Sequence, residues 1–131
     1  MRRDNVTSET SWEREFGYSR AVRVDRFVYV SGTTATDGAG GVVGVGDAYA
    51  QTVQALGNIR VALKAAGAEM EDVVRTRIYV TDLGEEAKVA RAHREIFEEI
   101  RPAATIVEVR RLISPELLVE VEAEAVLPEG R

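Results

Sequence analysis

From Val119 to Ala125 the chain alternates strictly, with Val119, Val121, Ala123 and Ala125 on one side and Glu120, Glu122 and Glu124 on the other. That is the two-residue period of a strand with one buried face. Residues 103–109 make a second β run, and Pro115 keeps the segment between them out of a helix or a central strand. Two neighbouring strands are therefore predicted at the end of the chain. Residues 18–24 and 27–33 are β-rich runs separated by Asp25-Arg26, a spacing suited to a tight hairpin. Residues 73–80 are a further strand, with Val74, Thr76, Ile78 and Val80 on one face and Arg75, Arg77 and Tyr79 on the other.

Helical spacing appears in two places. Asp47 is a candidate N-cap for a helix in which Tyr49, Thr52, Val53, Leu56, Ile59, Leu63 and Ala66 recur on one side until Gly67 stops it. A second helix follows residues 81–84, carries Val89, His93, Ile96, Phe97 and Ile100 on one face, and ends before Pro102. The order is β-β-α-β-α-β-β, with no internal repeat and no linker. Two amphipathic helices on one face of a mixed sheet make a two-layer α+β domain. Residues 1–15 are polar without a sustained period and read as a solvated N-terminal arm, with Trp12 and Phe16 able to pin it to the body. Residues 16–131 then form a single domain.

Composition narrows the chemistry. A chain of 131 residues can bury a core without staples, and the absence of cysteine excludes disulfides, thiolate nucleophiles and Cys-ligated zinc. The formal charge of −5 opposes binding to phosphate backbones, so nucleic acid is a poor partner. No window approaches the roughly 20 apolar residues of a membrane span, and no apolar run follows Arg2-Arg3. A soluble, cytoplasmic protein is expected. Residues 37–46 hold five glycines, yet they lack the Lys-Ser/Thr of a P-loop and any Gly-x-Gly-x-x-Gly, and read as a mobile surface loop.

The candidate chemistry is sparse. Glu120, Glu122 and Glu124 lie about 7 Å apart on one strand face, a spacing open to acid-base work but also that of an ordinary solvent face. Nothing at ligand spacing accompanies them, so no metal is expected. His93 is the only histidine and sits on the apolar face of its helix, which suits a core or interface residue more than a general base. Arg75 and Arg77 are placed to pair with the glutamate face across the sheet. Arg110-Arg111 carries no motif.

The segment Pro102-Ala103-Ala104-Thr105, the run Val107-Glu108-Val109, and Leu118-Val119-Glu120-Val121-Glu122-Ala123 resemble the C-terminal signature of the Rid (reactive intermediate deaminase, YjgF-like) family. Gly17-Tyr18-Ser19-Arg20-Ala21-Val22 and Val30-Ser31-Gly32 match it near the other end, so the resemblance spans about residues 17 to 127. It implies a chorismate-mutase-like fold and a homotrimer with small-molecule pockets between subunits. It also implies that Glu120 positions a water for attack on an imine carbon, beside Tyr18, Ser31, Gly32, position 104 and the backbone around Ile106. No cofactor is implied.

Two positions depart from the deaminase branch. Ala104 stands where that branch has an arginine for the substrate carboxylate, and Ala90 where many members have an asparagine. An alanine cannot reproduce the bidentate, charge-assisted contact of a guanidinium. The expectation is a divergent Rid protein that hydrolyses an imine, enamine or related compound without metal, but is a poor 2-imino acid deaminase. A non-catalytic ligand-binding or regulatory protein is the alternative. Endoribonuclease activity, ascribed to some relatives, is opposed by the acidic charge and by the lack of aromatic stacking clusters.

Overall fold

The computed structural model describes residues 1–8 and 10–130. Its strands are β1 (Arg3–Val6), β2 (Ala21–Val24), β3 (Phe27–Thr33), β4 (Val73–Val80), β5 (Ala103–Glu108) and β6 (Val119–Val126). Its helices are α1 (Ser11–Phe16), α2 (Ala48–Ala65) and α3 (Glu86–Phe97). The six strands form one sheet in the order β1-β2-β3-β6-β4-β5, antiparallel throughout except for the parallel pair β4 and β5. The sheet is mixed, as expected of the α+β class, and α2 and α3 cover one face of it.

The strand with the clearest alternation takes the centre. Val119, Val121, Ala123 and Ala125 of β6 are buried under the helices together with Val28 and Val30 of β3 and Ile78 and Val80 of β4. Leu56, Ile59 and Leu63 of α2 and Val89 and Phe97 of α3 close that core from above. The charged alternates, Glu120, Glu122 and Glu124, lie on the opposite, open face. At the start of α2 the Asp47 carboxylate accepts the Ala50 N–H at 3.0 Å, relieving one of the unpaired donors of the first turn. At its end Gly67 takes φ 87°, and Gly67 N–H and Ala68 N–H bond back to Lys64 and Leu63 carbonyls at 3.0 and 2.8 Å, a Schellman closure. The buried Arg23 guanidinium adds a bond to the Ala66 carbonyl at 2.9 Å.

Several details differ from the sequence reading. Arg3–Val6 is not a free arm: it pairs antiparallel with β2 along the sheet edge. An edge strand with exposed side chains has no buried face to impose a period. Trp12 and Phe16 stack edge to face at 5.4 Å, are 46% and 66% exposed, and are not part of the hydrophobic core. The last two strands are not neighbours, because β4 lies between β5 and β6. In α2, Val53 is 43% exposed, while Gln51 and Ala55 are buried in its place. In β4, a register shift between Val73 and Arg75 buries Val73 and turns Val74 outward, the effect of a β-bulge. Residues 37–46 are tied down by a Thr36–Val42 bridge and by Asp37 Oδ1, which accepts the Ala39 and Gly41 N–H groups at 2.8 and 2.9 Å.

Candidate functional site

Glu120 enters the open face of the sheet from β6, beside Tyr79 of β4. On its other side β3 is irregular: Val30 pairs with Ala123, Thr33 with Val121, and the register shifts between them. The extra residue brings Gly32 up against Glu120. A Cβ on Gly32 would overlap Glu120 Oε2, so the missing side chain at position 32 leaves room for the carboxylate where it stands. The Ser31 hydroxyl donates to the Ser19 carbonyl at 2.6 Å, and Ser31 N–H to the Arg20 carbonyl at 3.1 Å. These bonds lock the turn of β3 against the segment that leads into β2.

That segment brings two more groups to the same place. Arg20 Nη2 donates to the Gly32 carbonyl at 2.5 Å, and its guanidinium lies 5.9 Å from the centre of the Tyr18 ring, at the outer limit of a cation-π contact. Tyr18, Arg20, Ser31, Gly32 and Glu120 are therefore gathered on one face. The sequence reading had not assigned a role to Arg20. A signal was present, since the strand period puts residue 20 on the side of Val22 and not on that of the buried Ala21 and Arg23.

The three glutamates of β6 have different surroundings. Glu122 accepts a hydrogen bond from the Tyr79 hydroxyl, and its acceptance of that proton holds the phenol pKa above the usual value. Glu124 is in an ion pair with Arg77 at 3.1 Å, as the pairing reading of that arginine required, while Arg75 donates to Thr105 Oγ1 at 2.7 Å. Among the described residues, nothing donates a hydrogen bond to the Glu120 carboxylate. Burial pushes its pKa up, the neighbouring Glu122 charge adds to the rise, and Arg20 opposes it. A half-buried carboxylate without a fixed donor, with its pKa moved toward neutrality, is suited to accept and return a proton.

Ala104 and Ile106 are elsewhere in the chain. They lie on β5, beside Thr76 and Ile78, whose side chains face the helices. Ala104 and Ile106 thus point to the other side of the sheet from Glu120, with β4 between, and one chain does not bring the two groups together. Ala90 is exposed on α3. His93 Nε2 is 2.9 Å from Thr76 Oγ1, its ring packs on Phe97 at 4.6 Å, and burial lowers its pKa. It is an inner histidine, remote from Glu120. A cleft of about 340 Å³ next to it is lined by His93, Arg94, Phe97, Glu98, Arg101 and Pro102. Among the described residues no three His, Asp or Glu side chains are gathered as metal ligands, and no helix is long and apolar enough to cross a membrane.

A two-layer α+β domain with a mixed six-stranded sheet is the YjgF and chorismate-mutase-like fold. Residues 9–127 match the model of the endoribonuclease L-PSP family, and the chain belongs to that family, also called Rid or YjgF. A Mycobacterium tuberculosis structure, Rv2704, described as a member of the highly conserved YjgF/YER057c/UK114 family, superposes with a TM-score of 0.88 at 46% identity. That match covers 96% of this chain and 100% of the other. An uncharacterized Streptomyces coelicolor protein is 40% identical over 92% of this chain and 89% of its own length. The 3-aminoacrylate deaminase RutC of Acinetobacter baylyi is 37% identical over 82% of this chain and 85% of its own.

Proposed function

We propose that this chain hydrolyses a small imine, enamine or related compound at a site centred on Glu120, without metal or cofactor. The observation that carries the reading is the contrast along β6: Glu122 and Glu124 are bonded within the sheet, whereas Glu120 is free and has its pKa raised. Similarity to a deaminase of 3-aminoacrylate, an enamine by its chemistry, supports the reaction class. In the reaction a water oxygen bonds to the C=N carbon and its proton passes to Glu120. The π electron pair goes to nitrogen, which takes up a proton. Collapse of the resulting carbinolamine to C=O, with its O–H proton carried by Glu120 to the nitrogen, breaks the C–N bond and releases ammonia.

The pocket is completed between subunits of a homotrimer, in which β5 of one chain, with Ala104 and Ile106, meets the Tyr18, Ser31, Gly32 and Glu120 cluster of the next. The separation of these two groups within one chain favours that arrangement. With alanine at 104, typical 2-imino acids are poor substrates. A guanidinium-to-carboxylate contact contributes about 1.5 to 3 kcal/mol, so its loss weakens such substrates by about ten- to a hundredfold. The second reading, binding without turnover, rests on the departures at Ala90 and Ala104. The ribonuclease reading has behind it the family name and relatives described as putative endoribonucleases, and the chain's acidic charge opposes it.

The test is ammonia release from imines and enamines generated in situ, in wild type and in Glu120→Gln, Glu122→Gln and Glu124→Gln. Turnover should fall by about a hundredfold or more in Glu120→Gln and stay near wild type in the other two. A rate on 2-iminopropionate equal to that of a true deaminase overturns the substrate half of the reading. Ligand binding that survives in a wild type with no turnover of any substrate favours the binding protein.

A further inference from the structure

The cleft beside His93 has a volume of about 340 Å³, within the roughly 300 to 1,000 Å³ of small-molecule sites. One chain supplies its whole lining, so it needs no second subunit. Its apolar part is the buried Phe97, the His93 ring packed on Phe97 at 4.6 Å, and Pro102. His93 uses Nε2 on Thr76 Oγ1, whereas its Nδ1 has no partner among the described residues and is not sealed from solvent. Arg94, Glu98 and Arg101 follow at intervals of four and three residues, along one side of the end of α3. That spacing offers an Arg94–Glu98 pair, yet the ion pairs among the described residues include none of the three. Arg101 is held at φ 51° just before Pro102, where an L side chain is strained and glycine is the usual helix stop. Its N–H donates to the Phe97 carbonyl at 2.8 Å and its Nε–H to the Glu98 carbonyl at 3.0 Å. Both terminal nitrogens of a fixed guanidinium are thereby left without a partner among the described residues.

We propose that this cleft is a ligand site separate from Glu120 and that it takes a small aryl monocarboxylate, with the ring against Phe97 and Pro102 and the carboxylate on the Arg94 and Arg101 guanidiniums. It stands or falls independently of the reading of Glu120. The charge of the lining sets the ligand class. Two guanidiniums and one carboxylate leave a single positive charge, because burial lowers the His93 pKa and keeps that ring neutral at pH 7. A monoanion balances that charge, whereas a phosphate dianion overshoots it and is repelled by Glu98. A planar carboxylate also matches the fork of a guanidinium with two parallel bonds. A neutral amide of the same shape keeps the ring contacts and gains none of the charge-assisted ones. The strained backbone at Arg101 fits this role, since a helix stop alone is better served by glycine.

Phenylacetate and phenylacetamide test this, since they share a ring and differ in charge. NMR titration of the full chain reads both the affinity and the place of binding. Phenylacetate should shift the Arg94 and Arg101 Nε–H and the His93 ring resonances, and bind about tenfold or more tightly than the amide. Arg94→Gln should lose about tenfold in phenylacetate affinity. Arg101→Gly should lose as much while melting at or above the wild-type temperature, because glycine relieves the left-handed backbone. That split distinguishes a ligand site from a helix stop, which glycine would only improve. Equal affinities for the two probes, shifts confined to Tyr18, Ser31 and Glu120, or wild-type phenylacetate affinity in either folded variant overturn the proposal. So does the absence of any saturable shift up to about 10 mM phenylacetate.

Discussion

Glu120, Glu122 and Glu124 are equivalent to a reader of the sequence, because alternation assigns them one face and nothing more. What separates them comes from neighbouring strands: Tyr79 and Arg77 of β4 reach Glu122 and Glu124, and the bulged Gly32 of β3 leaves room at Glu120. A direct consequence concerns Gly32→Ala. The added methyl overlaps the end of a flexible side chain, so the fold should survive with a loss of about 1 kcal/mol or less, while the Glu120 carboxylate is pushed out of place. Turnover in Gly32→Ala should therefore fall nearly as far as in Glu120→Gln, with a melting temperature close to wild type. Unchanged turnover in a folded Gly32→Ala protein would show that the carboxylate is not needed where the structure has it. The resemblance singled out Tyr18, Ser31, Gly32 and Glu120. Arg20 was not singled out, because an arginine on a strand face is usually solvated and only the third dimension shows its Nε–H to be enclosed.

At the scale of elements, periodicity identified every strand and helix that has a buried face. It missed β1, whose residues are mostly exposed, and the six-residue α1, whose one buried residue is the polar Glu13, and it misassigned Val74, because a bulge changes parity within β4. It also passed over Gln51, a polar residue fully buried on α2. Gln51 Nε2 donates to the carbonyls of Gly44 and Glu116 at 3.2 and 2.9 Å, and its Oε1 accepts the Leu118 N–H at 2.8 Å. One side chain thus ties the loop before α2 and the loop before β6 to the helix. Gln51→Leu keeps the volume but orphans these backbone groups, and should cost about 2 to 3 kcal/mol in urea unfolding. A loss below about 0.5 kcal/mol would mean that the loops find other partners. His93 on α3 makes a different prediction. Burial holds its folded pKa below the ordinary 6.5, so its contribution to stability is full above that value and is lost as pH falls through the folded pKa. His93→Gln should therefore gain in melting temperature relative to wild type as the solution is acidified below 6.5. Parallel melting curves for the two proteins across that window would refute the assignment.

For the whole molecule the question is what covers the open face. β5 presents its unpaired edge with Ala103, Ala104, Thr105 and Val107 exposed, and the open face of β3 carries Phe27 and Tyr29, each nearly half exposed. Exposed strand edges and apolar faces of this kind are usually removed by assembly, and a cyclic homo-oligomer closes them without leaving a free end. If the exposed edge of β5 meets the next subunit, position 104 of one copy comes toward Glu120 of another, which a single chain does not achieve. Tyr29 lies opposite Glu124 in the register of β3 and β6, so Tyr29→Asp adds a carboxylate to a face that already carries Glu120, Glu122 and Glu124. In a trimer built on this face it should shift sedimentation at micromolar concentration toward the monomer and abolish turnover with it. Val61→Asp is the matched control, because Val61 is 70% exposed on α2, on the helix layer away from that face. A trimer that withstands Tyr29→Asp, or a wild type that sediments as a monomer, would sink the interface and leave Ala104 and Ile106 without a place in the site.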